Sequence, residues 1–341
     1  GLTYIGRNLE INENASLSNL MGLENLINIG GSLIIGEKYG SGNPDLTSLT
    51  GLEGMTSIGG DLLIGNNEVL SSLIGLEGLH SIGETLYIGY NDALISLTGL
   101  DNLTNIGGSL IIGEEFGSGN LELTSLIGLE ELSSIGVNLE VYHNNALTSL
   151  TGLEGLTSIG RDVRIKNNES LSSLTGLEGI TSIEGTLSIE DNEILTSLTE
   201  LGGLTSIGGN LEIWSNNALT SLSGLDNITS IGFSLVIRGN DALTSLIGLE
   251  GLTSEVAYLR IRENNALTSL TGLGGLTSIV EDLKIYHNDA LTSLTGLDNV
   301  TSIGGGINIY YNDALTSLAG LDNVISISGG LDIYYNDALT S

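Results

Sequence analysis

A 24-residue unit recurs through the whole 341-residue chain, and this period constrains the fold more than any other feature. Aligned on the Leu of an LTSL-like start, units begin at Leu17, Leu46, Leu70, Leu94, Leu123, Leu147, Leu171, Leu195, Leu219, Leu243, Leu267, Leu291 and Leu315. The spacing is 24 residues except in two units of 29. Gly1 to Ser16 reads as the tail of a preceding unit and Leu339 to Ser341 as the start of another. A fixed period of this length is the mark of stacked repeats, in which one unit cannot bury its own apolar face and depends on its neighbours. No linker divides the chain and no capping unit is recognisable. We therefore expect a single solenoid over residues 1–341, either part of a longer protein or capped by flanking domains.

Numbering each unit from its first Leu, apolar residues fall at positions 1, 4, 7, 10, 13, 17 and 19; Leu147, Leu150, Leu153, Leu156, Ile159, Val163 and Ile165 show the set. Spacing of three, with Gly usual at 6 and 14, fits neither a 3.6-residue helix nor a strand and predicts a coil that turns inward every third residue. Alternation over 16–20 predicts a short strand with 17 and 19 inward. The expected fold is an all-β solenoid of parallel, leucine-rich-repeat-like coils, about fourteen in number and nearly straight, with little or no helix and a length of ~67 Å. Glu255 stands where other units have Ile. An unpaired carboxylate facing the core would be costly, so Val256 is expected to take the inward place and leave Glu255 exposed.

Position 22 is Asn in every unit that contains it, from Asn14 through Asn168 to Asn336. A corner Asn can bond backbone groups of its own and adjacent coils and tolerates left-handed geometry. The combined pattern, L-x-I-x-x-N followed by L-x-x-L-x-G-L-x-x-L-x-x-I-G-G, resembles the leucine-rich-repeat-like units of receptor L domains. It is closer still to tandem arrays of such units in large secreted bacterial surface proteins. The resemblance implies a non-enzymatic adhesive or structural role and an extracellular or cell-surface location. Receptor L domains carry Cys, and this chain has none.

Variation concentrates at positions 15–21. Eight of the nine basic residues lie there, and only Lys38, in an insertion, does not. Neighbouring coils of a parallel stack lie about 4.8 Å apart, so position 20 should form a column of Trp214, Arg238, Arg262, Tyr286, Tyr310 and Tyr334, with Arg260 and Lys284 beside it. Trp, Tyr and Arg dominate binding hot spots, which makes this face a candidate binding surface for protein or glycan. Stacking that merely stabilises the sheet accounts for the column equally well. The two long units carry matching insertions near 36–42 and 113–119, GEKYGSGN and GEEFGSGN, which place Tyr39 and Phe116 in Gly-rich loops expected to protrude from one edge.

Position 8 is acidic in eleven of thirteen units. A column of carboxylates should gather divalent cations diffusely; a specific calcium site needs six to eight oxygens, and no Asp-rich loop of that kind appears. No cofactor is expected. A formal charge of -32 opposes nucleic acid and anionic membranes, and no apolar run approaches the ~20 residues needed to span a bilayer. His143 and His287 share position 21 but lie six coils apart, and the Ser residues belong to the constant Thr-Ser pairs, so no catalytic constellation is expected. Stacked Thr at positions 2 and 11 suggest ice binding as an alternative, though other residues interrupt the columns. Self-association through solenoid ends or flanking domains would also fit a stack of this kind.

Overall fold

The computed structural model describes residues 1–341 as an all-β parallel solenoid of about fourteen coils. Two compact units make it up, Gly1–Leu171 with Thr175–Ile180 and Ser172–Leu174 with Thr181–Ser341. In the first, strands Leu9–Ile11, Leu33–Ile35, Leu62–Gly65, Leu86–Gly89, Leu110–Ile112, Leu139–Tyr142 and Val163–Lys166 follow one another in order. In the second the series is Leu187–Glu190, Leu211–Trp214, Ser234–Arg238, Tyr258–Arg262, Leu283–Tyr286, Ile307–Tyr310 and Leu331–Tyr334. Every pairing within a unit is parallel and joins equivalent positions of successive coils, as in Leu211↔Leu235 and Leu235↔Leu259. No helix is long and apolar enough to cross a membrane.

The inward set is the one the spacing predicts. Leu219, Leu222, Leu225, Ile228, Ile231, Leu235 and Ile237 of a single coil are all buried. The side opposite the strands is more regular than the expected plain coil. Positions 12 and 13 form two-residue parallel strands, such as Ser206–Ile207 and Ser230–Ile231, that build a second sheet. In the first unit this sheet runs unbroken through seven strands, whereas in the second it falls into two three-stranded pieces. The break is at Glu255. Val256 fills the inward place at 1% exposure and makes an isolated bridge to Ile279, while Glu255 is exposed and accepts a hydrogen bond from Ser278 Oγ. The expectation for this segment holds.

Three side-chain devices satisfy backbone groups that the strands leave open. The first is the asparagine row. Asn264, fully buried, accepts from the backbone N–H of Asn240 at 3.1 Å and donates to the carbonyls of Ile237 and Arg262 at 3.1 and 3.0 Å. The left-handed residue of the corner is not Asn itself but the one before it: Glu263 has φ 60°, His287 56° and Tyr311 54°. Asn tolerates that conformation, but here its side chain is committed to hydrogen bonds and the residue before it makes the turn.

A second device explains the acidic column. Gly at position 6 has φ between 108° and 119° in every coil that carries it. All eleven acidic residues at position 8 accept its N–H at 2.7–3.2 Å, as Glu250 does from Gly248 and Asp298 from Gly296. At least one carboxylate oxygen of each is thus committed to the fold, and at Glu53 both are. At Glu24 the bond from Gly22 holds the carboxyl below its ordinary range. The coil at Leu195 has Glu200 at position 6, and there the chain tightens into the 3-10 turn Thr199–Leu201.

The third device is at position 16, a short oxygen-bearing residue in most coils. Asp61 N–H donates to Ser32 Oγ, Thr85 N–H to Asp61 Oδ1 and Asn138 N–H to Ser109 Oγ. In the second unit the row runs through Asn210 and Ser234. The period by itself gives this position only an outward direction.

Candidate functional site

Register places the predicted column as the period requires. Trp214 pairs with Arg238, Arg238 with Arg262, Arg262 with Tyr286, Tyr286 with Tyr310 and Tyr310 with Tyr334, and Arg260 lies opposite Lys284. The column divides into two parts. From Tyr286 onward it is a stack: ring centroids of Tyr286 and Tyr310 are 4.6 Å apart at 8°, and those of Tyr310 and Tyr334 are 4.9 Å apart at 6°. A parallel row, His287, Tyr311 and Tyr335, stacks beside it at 4.7 and 4.8 Å. Burial within the stack, then the neighbouring Tyr286 and Tyr334 phenols, push the Tyr310 phenol up.

Before Tyr286 the surface is concave. A cleft of about 560 Å³ opens over the strands, with Val236 as its apolar floor, Trp214 and Tyr286 as walls and Phe233 and Tyr258 along one edge. Phe233 and Tyr258 meet edge to face at 5.6 Å. Arg260 lies over the Tyr258 ring at 5.0 Å, and Arg262 over the Tyr286 ring at 5.6 Å. Arg238, beside the cleft, faces Trp214 at 6.0 Å.

Charge is unevenly satisfied. Glu263 holds both Arg238 Nε at 2.8 Å and Arg262 Nη1 at 3.4 Å, and Asp282 holds Lys284 at 3.2 Å. Arg7 and Arg161 are exposed to water. Arg260 is the one basic side chain that is partly buried yet has no carboxylate within ion-pair distance. Trp214 Nε1, Arg260 Nε and Arg262 Nε are buried and have no hydrogen-bond partner in the protein. A donor left so costs about 1–3 kcal/mol, and three occur around one cleft. Glu212, bonded to Asn210 Nδ2 at 2.9 Å, is the only carboxylate in the lining.

Asp282 supplies a titration test. Its carboxyl is held below the ordinary aspartate range, first by the N–H of Gly306 and then by the Lys284 ammonium. A depressed carboxyl contributes stability that is full above its unfolded value, near pH 4, and is lost as pH falls through the folded value. The melting-temperature gap between the native chain and Asp282→Asn is therefore expected to be largest at pH 5–7 and to close below about pH 4. A gap that widens on acidification would contradict this.

Tyr39 and Phe116 belong to a separate feature in the first unit. The insertions do not simply protrude: Lys38 of the first reaches Glu114 of the second at 3.0 Å and sits over the Tyr87 ring at 4.8 Å. Tyr87 OH also donates to Glu114, at 3.4 Å, and burial pushes its phenol up. A hollow of about 240 Å³ lies under Lys38, lined by Ile34, Leu63 and Ile111. Tyr39 and Phe116 project outward, 77% and 91% exposed. Opposite charge at matched insertions could have suggested the pairing, but nothing in the period fixes how far Lys38 reaches. Elsewhere on this unit's strand face Arg164 is paired with Glu140 and Asp162, and Lys166 with Glu115. No group of three or more His, Asp or Glu side chains is placed to hold a metal ion.

No protein-family model matches the chain, and no characterised protein matches it in sequence. Solved structures that match include that of a TLR13–ssRNA13 complex, at 17% identity over 94% of this chain with a TM-score of 0.27. This chain spans 62% of the length of that one, and a likeness so distant carries no argument about function. The coils themselves, each a short parallel strand, a buried corner Asn and an inward leucine at every third place, make the protein leucine-rich-repeat-like.

Proposed function

We propose that the chain is a non-enzymatic binding module of a secreted or surface-displayed protein, which attaches through its strand face to a protein or glycan. The observation that carries this reading is the contrast between a constant scaffold and the one cleft where aromatic rings and unpartnered donors collect. Its polar groups are mostly donors, a set suited to holding a ligand rather than to moving protons. Nucleic acid is not the partner in this reading, since a net charge of -32 repels a polyanion. Ice binding is less well supported: the Thr hydroxyls donate to carbonyls of the preceding coil, as Thr268 does to Thr244 and Thr205 to Thr181, so their hydrogens serve the stack.

Replacing Trp214, Arg262 and Tyr286 together with Ala should abolish attachment to the partner surface with little loss of folding, because hot-spot side chains contribute ~2 kcal/mol or more each. Normal attachment with a much lower melting temperature would make the column purely structural. Diffuse association of divalent cations with the position-8 column is part of the same reading. Calcium and matched sodium chloride should both raise the melting temperature, calcium only at millimolar levels; a response at micromolar calcium would instead demand a specific site.

A further inference from the structure

We infer that the cleft between Trp214 and Tyr286 is a subsite for a carboxylated sugar, a hexuronate within a glycan. The inference rests on the binding-module reading above and names its ligand class. Arg260 and Arg262 leave one coil side by side, each with an Nε–H that finds no acceptor in the protein. Arg260 opposes Lys284, and Arg262 opposes Arg238, like charges that weaken a sheet when nothing lies between them. Glu263 and Asp282 form ion pairs with three of the four, whereas Arg260 feels Asp282 only at longer range and has no carboxylate in contact. An anion over Arg260 completes the set, and a guanidinium fork matches the two oxygens of a carboxylate.

The rest of the cleft selects what carries that anion. Trp214 Nε1 is a second unpartnered donor two coils away, a separation of roughly 10 Å. A ligand meeting both therefore has polar groups at both ends of a body wider than one small acid. Val236 and the flanking rings offer that body an apolar floor and walls, as suits the C–H faces of sugar rings between their hydroxyls. The volume lies in the usual range for a small-ligand site.

The same coil breaks the repeat's rules in three places. Glu255 replaces Ile at position 13, Tyr258 replaces the short oxygen-bearing residue at position 16, and Ser254 Oγ is buried without a partner. Tyr258 is thereby carried to the edge of the cleft, against Phe233 and under Arg260. Departures from local regularity without a stabilising gain are what a functional site leaves in a repeat.

Calorimetric titration of the full chain with trigalacturonate, its methyl ester, tetraglutamate and a uridylate trinucleotide tests the inference. Trigalacturonate should bind, the methyl ester at least tenfold more weakly. Arg260→Gln should lower trigalacturonate affinity tenfold or more at an unchanged melting temperature, and Trp214→Phe, which keeps a ring and removes the N–H, should lower it severalfold. Absence of trigalacturonate binding, equal binding of the ester, or indifference to Arg260→Gln would overturn the inference. So would tighter binding of tetraglutamate or of the trinucleotide, which would reassign the cleft. If no acidic sugar binds while the triple variant Trp214→Ala, Arg262→Ala, Tyr286→Ala still loses attachment, the binding-module reading stands and only the ligand assignment falls.

Discussion

Asn264→Ala is expected to lower the free energy of unfolding by about 2–4 kcal/mol, a large effect for a single polar substitution. The side chain is fully buried and joins three coils: it accepts from Asn240, donates to Ile237 and Arg262, and passes a further bond to Asn288 Oδ1 at 3.2 Å. Removing it leaves the Asn240 N–H buried without a partner, at about 1–3 kcal/mol, takes from the Ile237 carbonyl one of its donors while the strand ladder keeps the other, and adds a cavity. Asn264→Asp should be nearly as damaging, since it keeps the acceptor but loses both donors and buries a charge. Urea denaturation followed by circular dichroism measures both. A midpoint change worth less than about 1 kcal/mol would mean that the row relaxes around the gap, which the close packing of coils argues against.

Gly248→Ala should cost at least about 3 kcal/mol. With φ at 111°, the position lies where a side chain strains the backbone, of itself worth about 1–3 kcal/mol. A Cβ would also overlap the carbonyl of Leu222 in the preceding coil. Two substitutions bracket the result. Gly274→Ala, with nothing within 4 Å of the added carbon, should be close to neutral. Glu200→Gly, at the one coil that has already exchanged this turn for a 3-10 turn, should also be well tolerated. Thermal unfolding of the three variants distinguishes a positional effect from a general sensitivity to change at glycine. Equal losses for Gly248→Ala and Gly274→Ala would contradict the argument.

A strict period fixes which side of the coil each residue faces, so the buried leucines, the Trp214-to-Tyr334 column and the exchange of Glu255 for Val256 could all be read from the sequence. Two kinds of feature could not. Bonds between one side chain and the backbone of the next coil depend on register at the level of single atoms. The position-16 row therefore passed unseen although its Ser, Thr, Asp and Asn were in plain view, and the position-8 carboxylates looked like a repulsive column rather than acceptors for glycine N–H groups. Long side chains are the other case. Lys38 meets Glu114, and Glu263 meets two arginines, by rotamer choices that periodicity does not encode. The cleft was missed for the same reason. The column's members were identified, but the concavity comes from Arg260 and Arg262 folding onto Tyr258 and Tyr286, which no spacing reveals.

The broken second sheet has a mechanical consequence. Away from the break, a coil of the second unit is laced to its neighbours along two sides, by the long strand and by the Ser-Ile strand. The coil from Leu243 to Ala266 keeps the first lacing, but on the other side the Ser-Ile strand is replaced by the Val256–Ile279 bridge and scattered backbone bonds, such as Thr253 N–H to the Thr229 carbonyl and Glu281 N–H to that of Ala257. Under tension along the stack, coils yield in series, and this one is set to peel before its neighbours. Each coil that lets go exchanges about 4.8 Å of stacked height for roughly 80 Å of extended chain. A tether built this way lengthens in large steps under load while the coils that have not yielded keep their side chains in place. The coil that would yield first is also the one that carries Arg260.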